Sequence, residues 1–403
     1  MRHWLIAGFM LSWLCLRVPG AQEPSRPAAR AAENGLPPEV HELKIGDVAP
    51  DFRLQGIDEK IYTLAAFSNA PVLMVIFLSN HCPYSHAAEN RLLPLVAEMR
   101  GRGLAVVAIN PNHPDAVRID ELGYSKYSDS FQEMKIYARE KGFTFPYLYD
   151  GETQATARAY GCLATPHVFL FDRDRRLRYA GRFDDSRFPD PATVKSHDAR
   201  NAVQALLAGR PVPVEQTRPM GCSTKWLSNK SEIARVDKQW NETPIVLEKL
   251  DAETAATLAR NQSGKFRLIN VWATWCGPCV KEFPNLVSLS RRLSSRDFEL
   301  ITISVDDPKD QPKVRKFLEQ QHVAIPGRVL KSLKEEGRES NNYLFTGANM
   351  EVLLQALDPL APGPVPHTVL IAPGGKVLYR HSGEFDPAEL RTRLIDALGP
   401  YYE

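Results

Sequence analysis

Apolar and polar positions follow the same order in two stretches of the chain. In the first, Val72–Leu78 is a continuous apolar run, as expected of a strand covered on both faces. Asn80-His81-Cys82-Pro83 follows, and then a helical pattern to about Arg100. Leu104–Ile109 is a second apolar strand, Phe131–Lys141 a helix, Thr165–Asp172 and Arg176–Ala180 two strands joined by a turn at Asp172–Arg175, and Ala199–Leu207 a helix ended by Gly209 and Pro211. The second stretch repeats the plan. Phe266–Trp272 predicts a strand, Cys276 to about Leu293 a helix, Phe298–Val305 a strand and Gln311–Gln320 a helix. His367–Ala372 and Val377–His381 predict a hairpin through Pro373-Gly374-Gly375-Lys376, and Asp386–Leu398 a closing helix between Pro387 and Gly399.

Strands alternating with helices imply an α/β architecture with a sheet covered on both faces. The paired strands at the end of each unit imply that each sheet is mixed. The organisation expected is a signal peptide over residues 1–21, a flexible leader over 22–43, a first domain over 44–225, a linker over 226–243 and a second domain over 244–403. The signal reading rests on Arg2 and His3, the apolar run Trp4–Leu16 and the small-residue exit near Gly20 and Ala21. An uncleaved membrane anchor is the alternative, although the run is short for a bilayer. Residues 326–362 contain an expected short helix at Asn349–Leu357 and, by position alone, offer a lid or partner surface.

The length of 403 residues favours two or three domains. Net charge is +2, from 50 basic and 48 acidic side chains, so nucleic acid is not an expected partner. No glycine-rich phosphate loop follows a predicted strand, so no nucleotide, flavin or other cofactor is implied. Nothing in the chain sets an oligomeric state. Of six cysteines, five lie beyond the signal segment: Cys82, Cys162, Cys222, Cys276 and Cys279. They are too few and too scattered for a disulfide scaffold, and the odd number suggests that some of them cycle.

Trp275-Cys276-Gly277-Pro278-Cys279 carries the sharpest chemistry. A strand that runs into Cys-x-x-Cys and then a helix sets the first cysteine at a helix N-terminus, where free N–H groups favour a thiolate. That thiolate can attack a disulfide, and the second cysteine, one turn on, can resolve the mixed disulfide. Half of a metal site and an inert structural disulfide are the alternatives. His322 and His367 show no metal-ligand spacing.

Asn270-Val271-Trp272-Ala273-Thr274-Trp275-Cys276-Gly277-Pro278-Cys279-Val280-Lys281-Glu282-Phe283-Pro284 resembles the thioredoxin superfamily in its exported TlpA/ResA-like branch, over roughly residues 245–400. The resemblance implies Cys276 as nucleophile, Cys279 as resolving cysteine and Pro366 as the cis-proline facing them. Asn270 stands where many thioredoxins place a buried acid. Glu282 maps to an acid used near the pair and is expected to accept the proton of Cys279; a plain helix-surface Glu is the alternative.

The first unit, with Asn80-His81-Cys82-Pro83-Tyr84-Ser85, resembles a redoxin domain of the AhpC/TSA kind over roughly residues 44–210, with Thr165-Pro166 as its cis-proline element. The chain as a whole is therefore expected to be two tandem thioredoxin-like folds, each a central mixed β-sheet flanked by helices. Ser85 stands where a resolving cysteine would be. Ser79 fits the Ser/Thr that peroxiredoxins carry three residues before the reactive cysteine, whereas Val75 does not fit their Pro. Two partners are open for Cys82. Cys162 lies four residues before Pro166, and Cys222 sits in Met220-Gly221-Cys222-Ser223-Thr224-Lys225-Trp226. A small buried hydrophobe is the other reading of Cys162. His81, beside Cys82, can lower its pKa if protonated, or simply pack.

These readings imply an exported thiol–disulfide oxidoreductase of the periplasm or extracytoplasmic space. Cys276 and Cys279 would reduce protein disulfides, in cytochrome maturation or thiol repair, with electrons from a membrane thiol donor. One alternative is a peroxidase in which Cys82 reduces peroxide and the second domain recycles it. The other makes the first domain a non-catalytic client-binding module.

Overall fold

The computed structural model describes residues 40–361 and 363–402. The expected signal peptide, Cys15 and residues 22–39 of the leader lie outside the described residues. No helix among the described residues is long and apolar enough to cross a membrane.

The first sheet holds β1 (Arg53–Gly56), β2 (Ile61–Thr63), β3 (Val72–Phe77), β4 (Leu104–Asn110), β5 (Tyr147–Tyr149), β7 (His167–Phe171) and β8 (Leu177–Gly181), in the order β2-β1-β5-β4-β3-β7-β8. β3, β4 and β5 run parallel, and β7 and β8 continue the sheet antiparallel from β3. The continuous apolar run of β3 has the predicted cause. Val72, Met74 and Ile76 enter one buried layer, and Leu73, Val75 and Phe77 enter the other. A separate two-stranded ribbon pairs β6 (Ala164–Thr165) with β9 (Cys222–Ser223), antiparallel, so that Thr165 faces Cys222.

The second sheet has the order β10-β13-β12-β11-β14-β15, from β10 (Glu248–Leu250), β11 (Phe266–Trp272), β12 (Phe298–Ser304), β13 (Asn342–Phe345), β14 (His367–Ile371) and β15 (Val377–Ser382). β10, β13, β12 and β11 are parallel; β14 is antiparallel to β11, and β15 antiparallel to β14. Along β11, Leu268 and Trp272 face the layer under the Cys276 helix, whereas Ile269 and Val271 face the opposite layer. Asn270 therefore shares the helix side, since side chains alternate along a strand.

Residues 326–362 differ from the lid expected there. They supply β13, which lies between β10 and β12, and the helices Gly327–Glu335 and Met350–Leu357. Asn342-Tyr343-Leu344-Phe345 is short and opens on a polar residue, so its apolar signal is weak. It is nevertheless buried throughout, and packing against neighbouring strands decides its state.

Each reactive cysteine caps a helix. Cys82 precedes α1 (Pro83–Met99) and Cys276 precedes α2 (Gly277–Arg292), both in extended backbone. Proline occupies the first turn of each helix, where a missing N–H costs nothing. The far end of α2 docks on the first sheet's domain. The Arg292 guanidinium donates to the Ser125 carbonyl at 2.6 Å and that of Arg296 to the Gly123 carbonyl at 2.8 Å. A Cβ on Gly123 would lie 2.6 Å from the Arg292 carbonyl, so the close approach needs a glycine.

Candidate redox sites

At the second site, β11 ends at Trp272, and the Asp306 carboxylate holds the loop that follows. It accepts from the Thr274 N–H at 2.9 Å and from the Thr274 hydroxyl at 2.5 Å. Trp272 packs against Phe283 and Phe317, with ring centroids 4.7 and 4.8 Å away. Such contacts contribute ~0.5–1.5 kcal/mol per pair beyond burial, so strand, helix and neighbour are locked behind the cysteines. Cys276 and Cys279 are joined by a disulfide. The Cys279 N–H donates to the Cys276 sulfur at 3.3 Å, the helix-terminal contact that favours negative charge there. Cys276 is 6% exposed and Cys279 fully buried, while Trp275 stands out at 62%. Outside attack is therefore confined to Cys276.

Glu282 lies one turn beyond Cys279, on the buried side of α2. Its carboxylate accepts from the Asn270 amide at 3.0 Å and the Phe385 N–H at 3.4 Å. The same Asn270 amide reaches the Thr368 hydroxyl at 2.9 Å. Burial pushes the Glu282 carboxyl up to about 7, against the pull of those hydrogen bonds. It is not a surface residue; it is a buried acid set to exchange protons near neutral pH. Pro366 follows Val365 through a cis peptide bond, and β14 starts directly after it, paired with β11.

At the first site Cys82 is fully buried. As a thiol it donates to the Thr165 carbonyl at 3.0 Å, next to the cis bond to Pro166. Cys222, which stands opposite Thr165 on β9, has the largest influence on that sulfur after burial. Beside it, His81 Nδ1 is 2.6 Å from the Asp129 carboxylate, with both side chains buried. Asp129 also accepts from the Asn80 N–H at 2.7 Å and from the amides of Asn112 at 2.8 Å and Asn110 at 3.2 Å. Burial opposes charge on His81, but Asp129 outweighs it and raises the imidazole. Burial likewise opposes the Cys82 thiolate; the Cys222 hydrogen bond and the His81 charge overcome it and bring Cys82 down to about 6. Cys222 is pushed up by the same contact.

Residues 45–180 match the AhpC/TSA family and residues 241–394 the Redoxin family. Both domains belong to the thioredoxin superfamily. Within it, the chain is 41% identical over 71 residues to the thiol:disulfide interchange protein HelX of Rhodobacter capsulatus, a match that covers 17% of this chain and 38% of HelX. It is 29% identical over 120 residues to the thiol-disulfide oxidoreductase ResA of Bacillus subtilis, covering 28% of this chain and 51% of ResA. The chain thus spans about 38% of HelX and about half of ResA. A crystal structure of a hypothetical protein from Sinorhizobium meliloti is 37% identical and is matched over 97% of its length and 47% of this chain, with a TM-score of 0.42.

In thioredoxin terms, the expected residues divide cleanly. Cys276, Cys279, Glu282 and Pro366 gather around the start of α2, and Cys82 occupies the matching place in the AhpC/TSA-type domain. Of the two partners open for Cys82, Cys222 is the one that stands opposite Thr165, whose carbonyl the Cys82 sulfur touches. The Cys162 sulfur meets the Ala164 carbonyl and the Thr224 hydroxyl, each at 3.4 Å. It lies among Phe77, Tyr160 and Phe169 in an apolar layer, and burial pushes its thiol far above the ordinary range. Cys162 thus takes the small-hydrophobe reading, and its expected approach to Cys82 is corrected. Asp129, Asn112 and Gly221 were not singled out from the sequence. Asp129 sits in Tyr127-Ser128-Asp129-Ser130, a run that reads as solvated loop.

Proposed function

We propose that the chain is an exported thiol–disulfide oxidoreductase that reduces disulfides of extracytoplasmic proteins through Cys276 and Cys279. The observation that carries this reading is the asymmetric pair: a slightly exposed sulfur at a helix N-terminus, bonded to a buried one, with a near-neutral buried acid one turn behind. In the reduced chain the Cys276 thiolate attacks a substrate disulfide, and one substrate thiolate leaves. Glu282 takes the proton of Cys279. The Cys279 sulfur then attacks Cys276 Sγ, which closes the protein disulfide and releases the second substrate thiolate. Two protein thiols are oxidised and one substrate disulfide is reduced. A membrane thiol donor would restore the dithiol. Exposed Trp275 and Val280 offer an apolar rim for a protein client. Similarity to the thiol:disulfide interchange protein HelX and the thiol-disulfide oxidoreductase ResA supports the reaction type, and the basic, apolar and small-residue order of residues 1–21 supports export.

The test is insulin reduction with dithiothreitol as donor, by the unaltered chain and by Cys276→Ser. Catalysis that disappears in the variant supports the reading. Equal rates in the two proteins refute it.

A further inference from the structure

The first domain's cis-proline loop is already occupied. In the second domain, Pro364 and Val365, which precede cis-Pro366, pair with no strand among the described residues. In the first domain, the residues before cis-Pro166 form β6, and β9 of the same chain lies antiparallel on them, with Thr165 opposite Cys222. The approach is close. A Cβ on Gly221 would lie 2.1 Å from the Thr165 carbonyl oxygen and 2.9 Å from the Pro166 nitrogen, so only glycine admits the strand there. The Cys82 sulfur touches the same Thr165 carbonyl from the helix side. Thr165 thus carries the Cys82 sulfur on one contact and the backbone of Cys222 on another, which brings the two cysteines to the same residue. Further contacts fix β9 in place. The Thr224 N–H donates to the Leu163 carbonyl at 3.2 Å, and the Lys225 N–H to the Asn112 side chain at 2.8 Å.

We propose that Cys82 and Cys222 are a second dithiol–disulfide couple, in which β9 is held on the cis-proline loop as a built-in partner strand and a low-molecular-weight disulfide is the oxidant. The Cys82 thiolate attacks one sulfur of RSSR, forms Cys82–SR and releases RS⁻. The Cys222 thiol gives its proton to that RS⁻. Its sulfur attacks Cys82 Sγ, forms the Cys82–Cys222 bond and releases a second RS⁻. Two protein thiols lose two electrons, and one RSSR becomes RSH and RS⁻. A small oxidant fits the enclosure. Cys82 is fully buried, and the segment after the last helix closes over the pair. The Tyr402 hydroxyl is 3.9 Å from the Cys222 sulfur, and its ring lies 5.1 Å from Tyr84 and 4.7 Å from Tyr124.

The experiment uses the full chain with Cys15→Ser, Cys276→Ser and Cys279→Ser, so that only this couple and Cys162 can react. It is equilibrated with glutathione disulfide, quenched, alkylated and mapped by mass spectrometry, with and without Tyr402→Ala. A Cys82–Cys222 disulfide is expected, formed faster with Tyr402→Ala and reopened by dithiothreitol. Adding Cys222→Ser should leave Cys82 as a lasting glutathione adduct. Cys82 found bonded to Cys162, or carrying glutathione beside an intact Cys222, overturns the proposal, as do two free thiols with and without Tyr402→Ala. Insulin reduction by the unaltered chain reports on Cys276 separately, so failure of one reading leaves the other standing.

Discussion

At the second site the reactive sulfur finds its partner one turn along its own helix; at the first, Ser85 holds that helical position and the partner sulfur arrives on β9. Both sites start from the same junction of parallel strand, capping cysteine and proline-led helix. They differ in what surrounds it. Around Cys276 the acid, Glu282, is buried behind the resolving sulfur, and the cis-proline loop is open. Around Cys82 the charge is a buried His81–Asp129 pair, and the loop is filled by the chain itself. At one junction the residues before the cis-proline pair with no strand among the described residues; the other keeps its strand within the fold. Two parts of that difference, Asp129 and β9, lie far from either motif in the sequence.

Five substitutions sharpen this contrast. The largest effect is on turnover. Cys276→Ser is expected to bring insulin reduction to background, while Cys82→Ser leaves it within about twofold, a change of under 1 kcal/mol in barrier. Equal losses from the two variants would mean that the sites act as one and would erase the comparison.

Asp129→Asn is next. Removing one member of a buried ion pair costs about 3–5 kcal/mol, to be read as a lower urea midpoint. Without Asp129, burial leaves the His81 imidazole neutral, so Cys82 loses the neighbouring positive charge and its thiol should titrate above its value near 6, followed by thiolate ultraviolet absorbance. The pH dependence has a definite sign. His81 is raised when folded, so its contribution is complete below the ordinary 6.5 and fades as pH rises through its folded value. Asp129 is lowered, so its contribution is complete above 3.8 and fades as pH falls. The unaltered chain should outlast the variant most between those limits.

Gly221→Ala probes the built-in strand. Its methyl would meet the Thr165 carbonyl at 2.1 Å, and relief by backbone shift costs about 1–3 kcal/mol. The shift carries Cys222 away from Cys82, so the thiol titration should rise along with the loss of stability. A stable variant with an unchanged titration would show that β9 is not what brings the two sulfurs together.

These elements also mark where local pattern stops being informative. β3, β4, β11 and β12 were legible because strands buried on both faces are predominantly apolar. The Cys276 site was legible because its parts fall within one strand–helix junction and a single distant proline. β5, β10 and β13 are only three or four residues long, too short for periodicity to speak, and their state is set by neighbouring strands. The Cys82 site was half legible. Its nucleophile sits in a motif, but Asp129 and Cys222 reach it through tertiary pairing, and their own segments look like polar loop and linker.

The smallest effect, and the most informative about mechanism, is at Glu282. Its carboxyl binds a proton more tightly in the folded chain, at about 7 against an ordinary 4.5. The stabilisation from that proton is complete below 4.5 and is lost as pH rises through 7. Glu282→Gln keeps a neutral group of the same shape next to Asn270. It should match the unaltered chain in acid and be the more stable of the two above pH 7, seen as crossing profiles of thermal midpoint against pH. In catalysis the order reverses. The unaltered chain should show a resolving step that accelerates as pH rises through about 7, when the carboxylate becomes able to take the Cys279 proton. Glu282→Gln should lose that inflection and slow the step, with the first attack by Cys276 unaffected. A variant that keeps the inflection assigns the proton to another acceptor, and the second site would then owe its reactivity to the helix N-terminus alone.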